Sequence, residues 1–119
     1  MKKILVVDDD PEILELTKKG LEANGYKAIL ALDGVEGLNK AMEEKPDLIL
    51  LDIIMPNKDG FEMLRELKAN AFTRDIPVIM LSAKGETDFL LKGEKFGAVD
   101  YFIKPCDWQE LLNHIKRYV

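Results

Sequence analysis

The feature that most constrains the fold is an apolar run, Leu48–Leu51, which ends on a single carboxylate at Asp52. Pro46 precedes the run, and Pro56 and Gly60 follow it. A short apolar run between turn-forming residues is typical of a strand that is buried on both faces. The pattern therefore places Asp52 where a buried strand leaves its sheet. A charge at that point is costly unless other groups pair with it.

Short apolar strands alternate with helical segments five times along the chain. The predicted strands cover residues 4–7, 27–32, 48–52, 77–81 and 101–104. Helices are predicted to follow Asp10, Asp33 and Asp59, to run from about Thr87 to Phe96, and to follow Asp107; Gly25 and Gly97 are predicted left-handed caps. Four of the five strands are apolar throughout, as in parallel sheets covered on both faces. We therefore expect an α/β fold with an open, doubly wound sheet.

Helical spacing predicts which side chains of each helix face the core. In the first helix this spacing selects Ile13, Leu16, Thr17, Gly20 and Leu21, so that Leu14 falls outside the buried stripe. In the second helix it selects Val35, Leu38, Ala41 and Met42. In the third and last helices it selects Phe61, Leu64, Leu67, Leu111, Leu112 and Ile115.

The overall composition fits one domain spanning residues 1–119. A net charge of −5 argues against direct binding of nucleic acid, which needs a basic surface. The apolar runs are too short to span a membrane, and the one that follows Lys3 is too short for a secretory signal. The single cysteine, Cys106, excludes an internal disulfide and fits a cytoplasmic protein. Because the last predicted helix runs to the final residue, we expect any second domain to lie outside this chain.

Charged and polar residues follow four of the predicted strands. Asp8 and Asp9 follow the first, Asp52 ends the third, Ser82 follows the fourth, and Lys104 ends the fifth. In a parallel sheet these carboxyl ends share one edge, where ligands bind. Clustered carboxylates repel one another, and Mg²⁺ prefers oxygen ligands of this kind. A lysine can hold a phosphoryl oxygen as a point charge.

These residues carry a resemblance to a known family. The pair Asp8-Asp9, Asp52 followed by Met55-Pro56 and Gly60, Ser82-Ala83, and Tyr101 followed by Lys104-Pro105 together resemble the receiver domain of two-component response regulators. The resemblance covers the whole chain, and the spacing of the motifs is that of the family. It implies a flavodoxin-like sheet of five strands in the order 2-1-3-4-5 with five helices on both faces. It also implies a phosphoacceptor signalling domain rather than a turnover enzyme.

The resemblance implies that Asp52 accepts a phosphoryl group from a phosphohistidine. The donor would be a sensor histidine kinase or a histidine phosphotransfer protein. Asp9, Asp52 and the backbone carbonyl of Ile54 would ligate Mg²⁺, and Asp8 would act largely through bound water.

The remaining implied roles concern the phosphoryl oxygens and the signal. Lys104 and Ser82 would hold those oxygens, together with the backbone amides of Ile53 and Ala83. After phosphorylation Ser82 would move toward the phosphoryl group and Tyr101 would turn inward. That change would remodel the face formed by the fourth helix, the fifth strand and the fifth helix.

Several residues depart from the family pattern or lie outside it. Cys106 stands where the family usually has an aromatic residue, and Trp108 is read either as a core anchor or as a docking contact. Leu14, Cys106 and Trp108 are the predicted partner-docking residues. Ile54 cannot orient an attacking water, so we expect slow loss of phosphate. His114 is read as a structural residue.

Alternative functions stay open on the sequence alone. A Mg²⁺-dependent phosphohydrolase would want a second acidic residue at position 54, and an adaptor that works without phosphorylation would not need the acidic set. A flavodoxin-like cofactor site would place an acidic edge against a phosphate. P-loop and dinucleotide folds lack their glycine motifs here. The downstream partner is expected to be another protein or an output domain. A homodimer that forms on phosphorylation is also left open.

Overall fold

The computed structural model describes residues 1–53, 60–83, 97–104 and 107–119, with the backbone alone for residues 82–83 and 100–104. The strands are β1 (Lys3–Val7), β2 (Lys27–Ala31), β3 (Leu48–Asp52), β4 (Val78–Ala83) and β5 (Asp100–Lys104). The helices are α1 (Pro11–Ala23), α2 (Gly34–Glu44), α3 (Gly60–Ala69) and α4 (Trp108–Tyr118). The helix predicted over residues 87–96 lies outside the described ranges. None of the described helices has the length and apolar character needed to cross a membrane.

The described strands form one sheet in the order β2-β1-β3-β4-β5, and all neighbouring pairs are parallel. The register sets Val7 beside Leu51 on β1 and β3, and Asp52 beside Leu81 on β3 and β4. The prediction of an α/β fold with a flavodoxin-like parallel sheet is therefore confirmed. Four of the five predicted helices lie among the described residues.

The core has two layers because every strand side chain faces one side of the sheet or the other. On β3, Ile49 and Leu51 pack in a cluster with α2 and α3. Leu48 and Leu50 pack in the opposite cluster with α1 and α4. Burial on both faces is why β3 carries an unbroken apolar run.

The buried face of α1 differs from the predicted stripe. Leu14 is only 3% exposed and packs in the core, whereas Leu16 is 69% exposed. Leu14 and Leu21 are seven residues apart and therefore share one helix face. Gly20 lies beside that face, and the ring of Trp108 packs over it. The prediction was wrong at Leu14 and Leu16 because Ile13, Leu16 and Gly20 form an equally regular stripe.

The buried face of α2 consists of small residues. Gly34, Gly37 and Ala41 are buried, whereas Val35 and Met42 are exposed, so their predicted burial was wrong. A Cβ atom on Gly37 would lie 2.9 Å from Cε of Met63 and 3.0 Å from Cγ2 of Val7. This helix therefore packs closely because it has glycine at the contact. A prediction based on the spacing of large apolar side chains does not detect such a glycine. In α3 and α4 the predicted core residues are buried: Phe61, Leu64, Leu67, Leu111, Leu112 and Ile115.

Three helices begin on the predicted aspartate caps. The carboxylates of Asp10, Asp33 and Asp107 accept backbone hydrogen bonds from Glu12, Glu36 and Gln109, at 2.9, 2.8 and 2.9 Å. Gly25 follows α1 with a φ of +86°, which confirms its predicted left-handed conformation. The caps fix the starts of α1, α2 and α4 just beyond the carboxyl ends of β1, β2 and β5.

Strand β2 lies at the edge of the sheet, and a lysine covers part of its outer side. Lys40 on α2 donates a hydrogen bond from Nζ to the backbone carbonyl of Leu30 at 2.6 Å. The same ammonium pairs with Glu36 at 3.1 Å. The ion pair holds the lysine over this strand.

A second lysine lies at the end of α3, next to the segment that leads into β4. Lys68 donates from Nζ to the backbone carbonyls of Arg74 and Ile76, both at 3.0 Å. Burial lowers the pKa of the Lys68 ammonium below its usual value, and the Asp75 carboxylate offsets part of that effect. Lys68 therefore connects the helix to the segment that leads into β4.

Candidate functional site

Three carboxylates converge at the carboxyl edge of the sheet. Val7 and Leu51 are paired on β1 and β3, so Asp8 and Asp52 follow next to each other on adjacent strands. One oxygen from each of Asp8, Asp9 and Asp52 lies within 4.8 Å of the other two. The predicted clustering of these three residues is confirmed.

The three side chains differ in exposure and in support. Asp8 is 2% exposed and Asp52 is 9% exposed, whereas Asp9 is exposed. Oδ1 of Asp8 accepts a hydrogen bond from the backbone N–H of Asp10 at 3.0 Å, and the Asp8 N–H donates to the carbonyl of Ala31 at 3.1 Å. Asp8 is thus held in place by its own turn and by β2, with the first residues of α1 directly beyond it.

The spacing of the carboxylates suits a hard divalent cation. Two unit charges at this separation repel by roughly 3 kcal/mol at an effective dielectric constant of about 20. Mg²⁺ is bound by one or two protein carboxylates, with waters and phosphate oxygens completing its shell. The donor set of Asp8, Asp9 and Asp52 therefore fits a magnesium ion that keeps positions for an oxygen ligand from a substrate.

The start of α3 lies directly against the strand that carries Asp52. The backbone N–H of Gly60 donates to the carbonyl of Ile53 at 2.7 Å, and the N–H of Ile53 donates to the carbonyl of Leu81 at 3.0 Å. A Cβ atom on Gly60 would lie 2.8 Å from Cα of Ile53. This close approach fixes the position of the chain just after β3. Reasoning from the sequence did not predict it. A glycine at the first position of a helix was the signal that could have revealed it.

The other predicted site residues are placed only through their backbone. Ser82 follows Leu81, the partner of Asp52, and Ala83 pairs with Lys104. These residues therefore end β4 and β5 at the same edge as the carboxylates. Their side chains lie outside the description, and so do all atoms of Ile54.

The predicted switch and docking residues fall in different places. Tyr101 pairs with Met80, three residues before the end of β5. Leu14 is buried, which removes it from the predicted docking surface. Cys106 lies outside the described residues. Trp108 is partly buried against the α1/α4 core cluster, so its packing is that of a core anchor.

Comparison with known proteins gives a consistent family match. Residues 4–116 match the family described as response regulator receiver domain. The phosphate regulon transcriptional regulatory protein PhoB of Escherichia coli is 42% identical over 115 residues, covering 97% of this chain and 50% of that protein. The DNA-binding dual master transcriptional regulator RpaA of Synechocystis is 41% identical over 116 residues, covering 98% of this chain and 48% of that protein. The chain thus spans about half the length of these curated relatives.

Solved structures agree with the sequence relatives. The chemotaxis protein CheY4 of Vibrio cholerae superposes with a TM-score of 0.93 at 30% identity, covering 100% of this chain and 99% of that one. A response regulator receiver domain protein of Clostridium thermocellum superposes with a TM-score of 0.92 at 34% identity, covering 99% and 94%. Both similarities extend over essentially the whole fold.

Proposed function

Because this chain belongs to the response regulator receiver domain family of two-component systems, we propose that it accepts a phosphoryl group on Asp52. The observation that carries the proposal is the cluster of Asp8, Asp9 and Asp52 at the strand exit. A carboxylate oxygen of Asp52 would attack the phosphorus of a phosphohistidine. The P–N bond would break, the histidine nitrogen would keep the electron pair, and an acyl phosphate would form on Asp52.

The proposed metal roles are those that the family resemblance implies, and the clustered carboxylates support them. Asp9, Asp52 and the carbonyl of Ile54 would ligate Mg²⁺, and Asp8 would hold a bound water. When bound, the ion would offset the negative charge that accumulates as a phosphoryl group approaches three carboxylates. Asp8 is supported for this role by its hydrogen bond from Asp10, which orients its carboxylate.

The phosphoryl oxygens would be held from two sides. The Lys104 ammonium and the Ser82 hydroxyl would contact them, assisted by the backbone amides of Ile53 and Ala83. Such transfers depend mainly on positioning and on charge stabilisation. The placement of Ser82, Ala83 and Lys104 at the ends of β4 and β5 supports this arrangement.

The signal would leave the domain through a change of surface. A phosphoryl group adds charge and acceptor oxygens, so Ser82 would move toward it and Tyr101 would turn inward. The face made by the predicted 87–96 helix, β5 and α4 would change and bind a downstream partner or an output domain, or form a homodimer. Residues 1–119 would act as one cytoplasmic signalling domain, with a sensor histidine kinase or a histidine phosphotransfer protein as donor.

Intact-mass spectrometry tests the acceptor directly. The protein is incubated with Mg²⁺ and acetyl phosphate, and we expect an added mass of one phosphoryl group. Asp52→Asn should abolish the adduct. Asp33→Asn is the matched control, because Asp33 lies at the same edge of the sheet as a helix cap and asparagine caps equally well. An unmodified wild-type protein, or an Asp52→Asn protein that is still modified, would refute the proposal.

The lifetime of the acyl phosphate tests the role of Ile54. An apolar side chain at this position cannot orient an attacking water, so we expect slow hydrolysis. Ile54→Asn should shorten the lifetime, measured as decay of the phosphorylated mass after acetyl phosphate is removed. An unchanged or longer lifetime would contradict this role.

A further inference from the structure

The only tryptophan of the chain rests on a glycine of the first helix. A Cβ atom on Gly20 would lie 2.6 Å from Cζ2 of Trp108 and 2.9 Å from its Cε2. Glycine weakens a helix interior relative to alanine, yet α1 has one here. Its absent side chain leaves the space that the indole ring fills, so α1 and α4 are in contact through backbone on one side and an aromatic ring on the other.

The two helices joined by this contact each begin just after a segment that contributes residues to the proposed site. Helix α1 begins at Pro11, directly after the turn that carries Asp8 and Asp9. Helix α4 begins at Trp108, four residues after Lys104. Their contact therefore sets the spacing between the carboxylate turn and the connection that leaves β5.

Both ends of that connection are fixed by observed contacts. At one end, Lys104 is paired with Ala83 in the sheet. At the other end, Asp107 caps α4 through the N–H of Gln109 at 2.9 Å, and Trp108 packs against the α1/α4 core cluster. Because only three residues separate Lys104 from Trp108, a displaced start of α4 must be absorbed within a short span next to the lysine.

We propose that Trp108 is a positioning residue for Lys104. Its indole ring, seated on Gly20, fixes where α4 begins and thereby fixes the approach of the Lys104 ammonium to the phosphoryl group at Asp52. The inference rests on the proposed function. Trp108 acts through Lys104 and belongs to the structural support of phosphoryl uptake rather than to the metal site.

Gly20→Ala tests the contact between Gly20 and Trp108, because the added methyl group would push the indole ring away. The measurement is the initial rate of acyl phosphate formation over a range of acetyl phosphate concentrations at saturating Mg²⁺. We expect the maximal rate to fall by roughly tenfold, since a displacement of about 1 Å can cost ~100-fold in rate. The dissociation constant for Mg²⁺, measured by calorimetry, should stay within about twofold, because hydrogen bonds from Asp10 and to Ala31 hold Asp8 in place independently of Trp108.

A second substitution tests whether the clash with the indole ring causes the loss of rate in Gly20→Ala. Trp108→Phe in the Gly20→Ala background replaces the indole with a smaller ring, which leaves room for the added methyl group and should restore part of the rate. Ile115→Val is the control, because Ile115 is fully buried on α4 about two turns from Trp108, and its truncation weakens the same helix while Gly20 and Trp108 stay unchanged. Should Gly20→Ala not fold, Trp108→Ala removes the ring without adding a clash and is expected to slow uptake in the same way.

The outcomes separate the two proposals. A wild-type protein that takes up no phosphate would refute the proposed function. A wild-type protein that is phosphorylated, with Gly20→Ala as fast as Ile115→Val at a temperature where both are folded, would overturn the role of Trp108 alone. A double variant that is no faster than Gly20→Ala would overturn it as well.

Discussion

Asp9→Asn should stabilise the protein when no divalent cation is present. The Asp9 carboxylate lies within 4.8 Å of two others and is the exposed member of the cluster. At that separation each pair repels by about 1 kcal/mol at the dielectric constant of water, and by roughly 3 kcal/mol at an effective value near 20. Because Asp9 is exposed, the value for water, about 1 kcal/mol, applies to each of its two carboxylate pairs. We therefore expect the free energy of unfolding to rise by about 1–3 kcal/mol.

Urea unfolding followed by circular dichroism measures this effect in a chelator and again with Mg²⁺. In the chelator the variant should unfold at a higher urea concentration than wild type. Adding Mg²⁺ should stabilise the wild type more than the variant, because a ligand that binds only the folded state stabilises it by an amount that rises with the logarithm of its affinity. Asp33→Asn should stay within about 0.5 kcal/mol of wild type in both conditions. An Asp9→Asn protein no more stable than wild type in the chelator would refute the repulsion argument.

Three further predictions concern packing and one titrating lysine. Gly60→Ala should cost about 1–3 kcal/mol by overpacking against the backbone of Ile53, measured by urea unfolding; an unchanged midpoint would contradict the close approach. Leu14→Ala should lower the free energy of unfolding by about 2–5 kcal/mol, and Leu16→Ala by less than about 0.5 kcal/mol. The reverse order would support the buried face that was predicted from the sequence. The lowered pKa of Lys68 means that the unfolded chain binds this proton more tightly, so the group makes stability rise with pH between the lowered value and 10.5. Lys68→Met should remove that rise when unfolding free energies are compared from neutral to alkaline pH, and an equal slope in both proteins would disprove it.

The sheet could be predicted from the sequence because its signals are local. Leu48–Leu51 is apolar without alternation, and this pattern alone indicates burial on both faces. The acidic cluster followed from the same reasoning, since parallel strands bring their carboxyl ends to one edge. Asp8, Asp9 and Asp52 lie together as that argument requires.

The helix faces were harder to predict because they depend on contacts between distant parts of the chain. Gly37 is buried only because α3 and β1 leave no room for a side chain there. Leu14 and Leu16 have the same hydrophobicity, and only the position of the sheet and of α4 decides which one is buried. The seat of Trp108 on Gly20 joins residues 88 positions apart, so no local pattern could reveal it.

The hydrogen bond from Lys40 to Leu30 has a consequence for how copies of this protein behave at high concentration. An open edge strand offers its backbone to any other strand, which is one route to fibrils. Here the Leu30 carbonyl is already occupied, and an incoming chain would have to displace an ammonium group that is also held by Glu36. A single charged side chain thus makes intermolecular strand addition at this rim unfavourable and helps the domain remain dispersed in a crowded solution.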